Sequence, residues 1–188
     1  MIELFIGIAI VAMLLALGLP SFGSWLQNSQ IRNAAEAIQN GLQLARSESV
    51  RRNSNVQFVL TSVAGGGNAS DWSVNCVTPV ADTDGDGLAD CPGAGVVPTE
   101  IQARPAAEGS RNAEITAAQS TIVFNSVGRL TPVPAAAINI AISNSKGGAC
   151  AAGGPMRCLE VRVSTGGQVR MCDHLFDGAV PPNPRGCS

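Results

Sequence analysis

From Leu4 to Ile31 the chain carries no ionisable side chain, and its first part, Leu4–Leu19, is almost wholly apolar. This run of sixteen residues, or nineteen to Phe22 if Pro20 and Ser21 are allowed, sits at the short end of a membrane span. A secretory signal peptide is the nearest competitor, but it needs a basic stretch ahead of the run and a small-residue cleavage site behind it. Here the charge ahead of the run is Glu3, and the first Lys or Arg is Arg32. The run also passes directly into a helical pattern. The sequence therefore predicts a membrane-inserting helix rather than a cleaved signal or a buried core helix.

The pattern that follows extends the helix over residues 2–52. Ile31, Ala35, Ile38, Leu42, Ala45 and Ser49 recur at alternating spacings of four and three, the small or apolar stripe of an amphipathic helix. Arg32, Glu36, Gln39, Gln43, Arg46, Arg51 and Arg52 fall on its other faces. Some 50 helical residues would reach about 75 Å, far more than a compact domain of this size needs. Something else must hold the first half. Gly18 and Pro20 are expected to kink or locally melt it, because proline removes a backbone hydrogen bond and crowds the preceding turn.

Beyond Asn53 the grammar changes to short β-favouring segments: Val56–Val63, Trp72–Val77, Thr121–Asn125, Ile138–Ser143, Leu159–Ser164 and Gln168–Met171. The last two alternate on either side of Thr-Gly-Gly and read as a hairpin. Residues 78–112 read as loop, and residues 178–188, with three prolines, as an irregular tail. The expected fold is α+β: a long N-terminal helix packed by its second half on a small, disulfide-bonded antiparallel β-sheet domain. The boundary is placed between a transmembrane half, 1–26, and an extracytoplasmic domain, 27–188, made of helix 27–52 and β-rich 53–188.

Six cysteines, at 76, 91, 150, 158, 172 and 187, lie in Gly- and Pro-rich surroundings and point to disulfides in an oxidising compartment. No C-x-x-C pair occurs, and the single histidine, His174, has no partner for zinc. Two pairings are open. One is local: Cys76–Cys91, Cys150–Cys158 and Cys172–Cys187, each closing a turn-containing loop. The other crosses the hairpin as Cys158–Cys172 and leaves Cys150 to Cys187.

These residues also resemble a known family. Met1-Ile-Glu-Leu and the run to Pro20 resemble the start of type IV pilins and type II secretion pseudopilins, in which a kink proline follows a glutamate by seventeen residues, as Pro20 follows Glu3. Ile31–Ile38, Leu44–Asn53, Phe124-Asn-Ser-Val-Gly-Arg-Leu130 and the Cys158–Cys172 hairpin are similar to the FimT/GspH branch in particular. Met1 stands where the mature family has its third residue, so the family's cleavage and N-methylation sites fall ahead of it.

The resemblance implies a structural minor pilin that joins or primes a type IV pilus, or a GspH-like minor pseudopilin of type II secretion. Its partners would be other pilins or pseudopilins through the N-terminal helix, the inner membrane and the assembly platform. The domain would be periplasmic and then part of an extracytoplasmic filament. Glu3 would pair with the terminal amine of a neighbouring subunit; alone in an apolar run, such a carboxylate costs roughly 2.5–3.5 kcal/mol on insertion scales.

Asp82-Thr-Asp84-Gly-Asp86-Gly-Leu88-Ala-Asp90 fits the first nine positions of a calcium loop, with the Leu88 carbonyl as a backbone ligand. The bidentate Glu of position 12 is replaced by Gly93. Ca²⁺ is thus one expectation, a solvated acidic turn the other. For nucleic acid, Arg157, Arg162, Arg170 and Arg185 could form a patch, as in FimT-like DNA receptors. A net charge of −2 and a single lysine, Lys146, favour plain surface arginines. No catalytic constellation assembles, and an enzyme is not expected.

Overall fold

The computed structural model describes residues 2–61, 70–83, 85, 90–148, 150, 154–173, 176 and 183–187; for residues 2 and 15–21 it describes the backbone alone. Helix α1 spans Ile2–Arg51. It passes Gly18 and Pro20 without a break, so the local melting expected there does not occur. Proline removes a single backbone bond, and the turns on either side carry the helix past it. At the other end Asn53 adopts φ 46°, with Asn53 N–H bonded to the Val50 carbonyl at 3.3 Å and Ser54 N–H to that of Ser49 at 3.1 Å. This is a Schellman stop, with asparagine accepting the left-handed position that usually falls to glycine.

Two antiparallel four-stranded sheets follow, where the sequence suggested one. The strands are β1 (Val56–Leu60), β2 (Trp72–Cys76), β3 (Gln102–Arg104), β4 (Glu114–Ala117), β5 (Thr121–Phe124), β6 (Ile138–Ser143), β7 (Leu159–Val163) and β8 (Val169–Cys172). The first sheet runs β3-β2-β1-β5 and the second β4-β6-β7-β8. Strands β3 and β4 escape a reading based on alternation. Gln102-Ala-Arg104 buries none of its residues, and β4 buries only Ile115. In β1 and β2 the period is regular: Val56, Phe58 and Leu60 on one strand, Trp72, Val74 and Cys76 on the other, all point inward.

Helix α1 touches both sheets. Every residue of the expected stripe is fully buried: Ile31, Ala35, Ile38, Leu42, Ala45 and Ser49. Ala34, Ala37 and Gly41 are buried beside them, which widens the covered face to about 160° of the circumference. A face that wide needs more than one sheet to cover it. The closest approach is at Gly41, where a Cβ would stand 2.8 Å from Phe58 Cε2 and 3.1 Å from two Trp72 ring atoms. The Phe58 and Trp72 rings pack on each other at 5.5 Å, so neither can easily give way.

Gly41→Ala therefore tests the packing by its sign. In an open helix the change stabilises by about 1 kcal/mol; here overpacking, about 1–3 kcal/mol, should outweigh that. The melting temperature of the variant should fall. A rise would mean that helix and sheet are not in this contact.

Candidate assembly interface

The first half of α1 stands clear of the domain. Glu3 is exposed, and Leu4, Phe5, Ile6, Ile8, Ile10, Val11, Met13 and Leu14 are each more than half exposed. Phe22 and Trp25, one helical turn apart, remain 60% and 63% exposed with ring centroids 5.8 Å apart. Among the described residues no helix is long and apolar enough to cross a membrane. The transmembrane expectation for 1–26 is thus not carried by those residues alone, since the side chains of 15–21 lie outside the description.

Engagement with the domain is made by side-chain amides. Asn144 Nδ2 donates to Gln27 Oε1 (2.5 Å), Asn28 Nδ2 donates to the Pro155 carbonyl (2.8 Å), and Arg157 N–H donates to Asn28 Oδ1 (2.7 Å). One turn on, Gln30 Oε1 accepts from Asn112 N–H at 3.1 Å. Sequence reasoning missed these anchors. Their only trace is three amides within four residues, directly after an apolar run.

At the far end of α1, Glu48 accepts from Arg51 (2.7 Å) and Arg52 (2.7 Å). Arg52 Nη1 also donates to the backbone carbonyl of Asp90, tying the acidic loop to the helix. Burial works to raise the Glu48 pKa, but hydrogen bonds and charge from Arg51 and Arg52 outweigh it and hold the carboxyl below its ordinary 4.5.

The loop itself is closed by Cys76–Cys91, with Cα atoms 5.7 Å apart, and by the Val80–Cys91 bridge. Asp82 Oδ1 accepts from Gly85 N–H at 2.6 Å, and Asp90 Oδ2 accepts from Thr83 N–H (3.2 Å) and its hydroxyl. Asp84, Asp86 and Leu88, the other calcium candidates, lie outside the described residues. Among those described, Glu160 with Cys172 and Cys187 forms a cluster of metal-ligand type. Its two sulfurs are consumed in a disulfide.

All six cysteines are paired locally: Cys76–Cys91, Cys150–Cys158 and Cys172–Cys187. The hairpin register sets Cys172 opposite Glu160, two residues past Cys158, which puts the alternative Cys158–Cys172 bridge out of step. The same register sets Arg162 opposite Arg170, and both donate to the Cys187 carbonyl, Arg170 at 2.7 Å. Arg157 is held apart, ahead of β7 and against Asn28, and Arg185 lies on the tail where its carbonyl accepts from Asp173 N–H. Arg162 and Arg170 thus meet at Cys187, two residues past Arg185, while Arg157 stands apart from them at the helix.

A domain of two antiparallel sheets carried on a half-exposed N-terminal helix narrows the family sharply. A family model described as type II transport protein GspH matches residues 34–167. The chain belongs to that family. Among solved structures, this GspH-family chain is similar to the type IV minor pilin FimU of Pseudomonas aeruginosa in two crystal forms. One gives a TM-score of 0.50 at 14% identity, covering 84% of this chain and 99% of that one. The other gives 0.51 at 16%, covering 84% and 95%. Both show that the fold is shared. No curated protein matches.

Because the folded pKa of Glu48 is depressed, its contribution to stability is complete above about pH 4.5 and is lost as pH falls through the folded value. In urea unfolding, Glu48→Gln should be less stable than the parent by about 1 kcal/mol at neutral pH. The gap should narrow as pH falls through the depressed folded value of Glu48, below which its carboxyl is neutral like the glutamine amide.

Proposed function

We propose that this chain is a minor pilin-type subunit that joins or primes assembly of a type IV pilus, with its inner-membrane anchor and its filament contacts supplied by the same stretch of α1. The observation that carries this reading is the exposed apolar half-helix, with Glu3 at its far end, projecting from a domain that resembles a type IV minor pilin. In the sequence, residues 15–21 complete the apolar run. An exposed helix of this kind has two environments that hide it, a bilayer and the packed helices of a filament. Leaving the first for the second requires Glu3 to find a positive partner, because an unpaired carboxylate is strongly destabilising in an apolar surround. A neighbour's terminal amine supplies that charge. Glu3 then sets the register between subunits.

Glu3→Ala should leave membrane insertion intact and reduce recovery of the subunit in sheared filaments. Full recovery would remove Glu3 from the assembly step.

The GspH match favours a second reading, a minor pseudopilin of a type II secretion system. Deletion of the gene separates the two: loss of surface pili supports the first, and retention of secreted enzymes in the periplasm supports the second.

We also propose that the 82–90 loop binds calcium. Its ends are pinned by a disulfide and by Arg52, it holds four aspartates with no basic residue between Cys76 and Cys91, and oxygen-only donors suit a hard cation. With no acidic residue at position 12, affinity should fall near the range of about 10⁻⁴–10⁻³ M of extracellular modules. Millimolar calcium should raise the melting temperature, magnesium less so, and Asp84→Ala should abolish the shift. Equal melting with calcium and with chelator would leave the loop an acidic turn.

A further inference from the structure

Two dimensions of α1 coincide with those of a bilayer. From Glu3 to Trp25 the unbroken helix rises about 33 Å, close to the roughly 30 Å of a hydrocarbon core. The described side chains between those two residues include no charge, and the span ends on the exposed Phe22–Trp25 pair. The amphipathic indole of Trp25 is of the kind that settles at the membrane–water interface. Two residues later the amide anchors begin, and the helix is held by the domain from there on. The apolar span and the domain thus meet with almost no spacer.

The end of the domain that surrounds this junction is basic. Arg157 is fixed there by its backbone bond to Asn28. Lys146 donates from Nζ to Asn112 Oδ1 at 3.0 Å, and Asn112 is the residue bonded to Gln30. Arg111 is next in sequence to Asn112. All three side chains are exposed. The acidic groups nearby are Glu114, which accepts from the Ser145 hydroxyl, Glu36, which faces Arg32 at 3.5 Å, and Glu108, which faces Arg104 at 3.9 Å. Asn28 stands about 5 Å above Trp25 along the helix, and the polar layer of a leaflet is roughly 5–8 Å deep. Long basic side chains at this level reach lipid phosphates without moving the domain.

We propose that this end of the domain is a docking surface for anionic phospholipid: Trp25 marks the interface, and Arg111, Lys146 and Arg157 bind headgroup phosphates around the helix exit. The inference rests on the membrane-anchored reading above and adds to it a fixed depth and a lipid preference. Before assembly the subunit then stands directly on the bilayer in one orientation, and extraction into a filament must break these phosphate contacts as well as free the apolar helix.

The test uses the full chain, diluted from detergent into phosphatidylcholine vesicles and vesicles that also contain phosphatidylglycerol, offered together and separated by flotation. Trp25 is isolated by difference from Trp25→Phe, since Trp72 is 4% exposed and stays in the core. Lipids brominated near the headgroup should quench Trp25 more than lipids brominated deep in the chains. The chain should favour the anionic vesicles by roughly ten-fold or more, and salt should erase the preference. Arg111→Gln, Lys146→Gln and Arg157→Gln should each reduce it about five-fold, with unchanged circular dichroism. Equal distribution between the vesicles, or deepest quenching from mid-chain bromines, would overturn the docking surface while leaving the anchor standing. Failure to float with either vesicle would overturn the anchor and this inference together.

Discussion

Everything in the domain depends on how closely the second half of α1 lies against its sheets. With Gly41 against Phe58 and Trp72, the helix backbone approaches β1 and β2 to a distance that no side chain would permit. Alanines at 34, 35, 37 and 45 extend the same close fit along the buried face. Small residues on a helix usually bury little area, and here large side chains from the sheets compensate: Phe58, Phe124, Ile122, Ile140 and Ile142 are all nearly or fully buried. Larger residues at Gly41 or at these alanines would drive the helix away from the sheets, whereas Ile31, Ile38 and Leu42 on the same face are fully buried between them. Small residues at the points of closest approach set the separation of the layers.

That arrangement has a consequence for the first half of the helix. Once residues 31–49 are locked between two sheets, a continuous helix has no freedom to fold its N-terminal turns back onto the domain. Leu4–Leu14 are left exposed in the isolated subunit because the domain offers them no surface. The polar anchors at Gln27, Asn28 and Gln30 complete the separation by bonding the helix exit to residues 112, 144, 155 and 157. Rigidity in one half of α1 is what makes the other half available to a partner.

The parts of this design that were legible in the sequence are those with a period. The stripe from Ile31 to Ser49 is wholly buried, and β6 spans Ile138–Ser143, the residues its pattern indicates. Local structure without a period was not legible. Strand β3 exists because β2 offers it a free edge, not because Gln-Ala-Arg favours extension. The division into two sheets depends on which strands find each other across the chain: β4 pairs with β6 and β5 with β1, though β4 and β5 are neighbours in sequence. The amide anchors were hidden for a different reason. Asparagine and glutamine after an apolar run look like an ordinary polar flank, and only the fold brings Asn112, Asn144 and Pro155 to meet them.

The Arg162–Arg170 pair shows how a local conflict is resolved by a distant residue. Like charges placed directly opposite on neighbouring strands repel and weaken a hairpin. Here both guanidinium groups turn to one acceptor, the carbonyl of Cys187, which lies 25 residues beyond Arg162 in the chain. That carbonyl is present at the hairpin because the Cys172–Cys187 disulfide holds it there, with the Asp173 N–H to Arg185 carbonyl bond beside it. The disulfide thus does more than shorten the unfolded chain: it delivers the oxygen that lets two arginines face each other. The arrangement also engages these two arginines within the fold. Arg157 is placed differently, with its backbone N–H bonded to Asn28 at the helix exit and its side chain exposed.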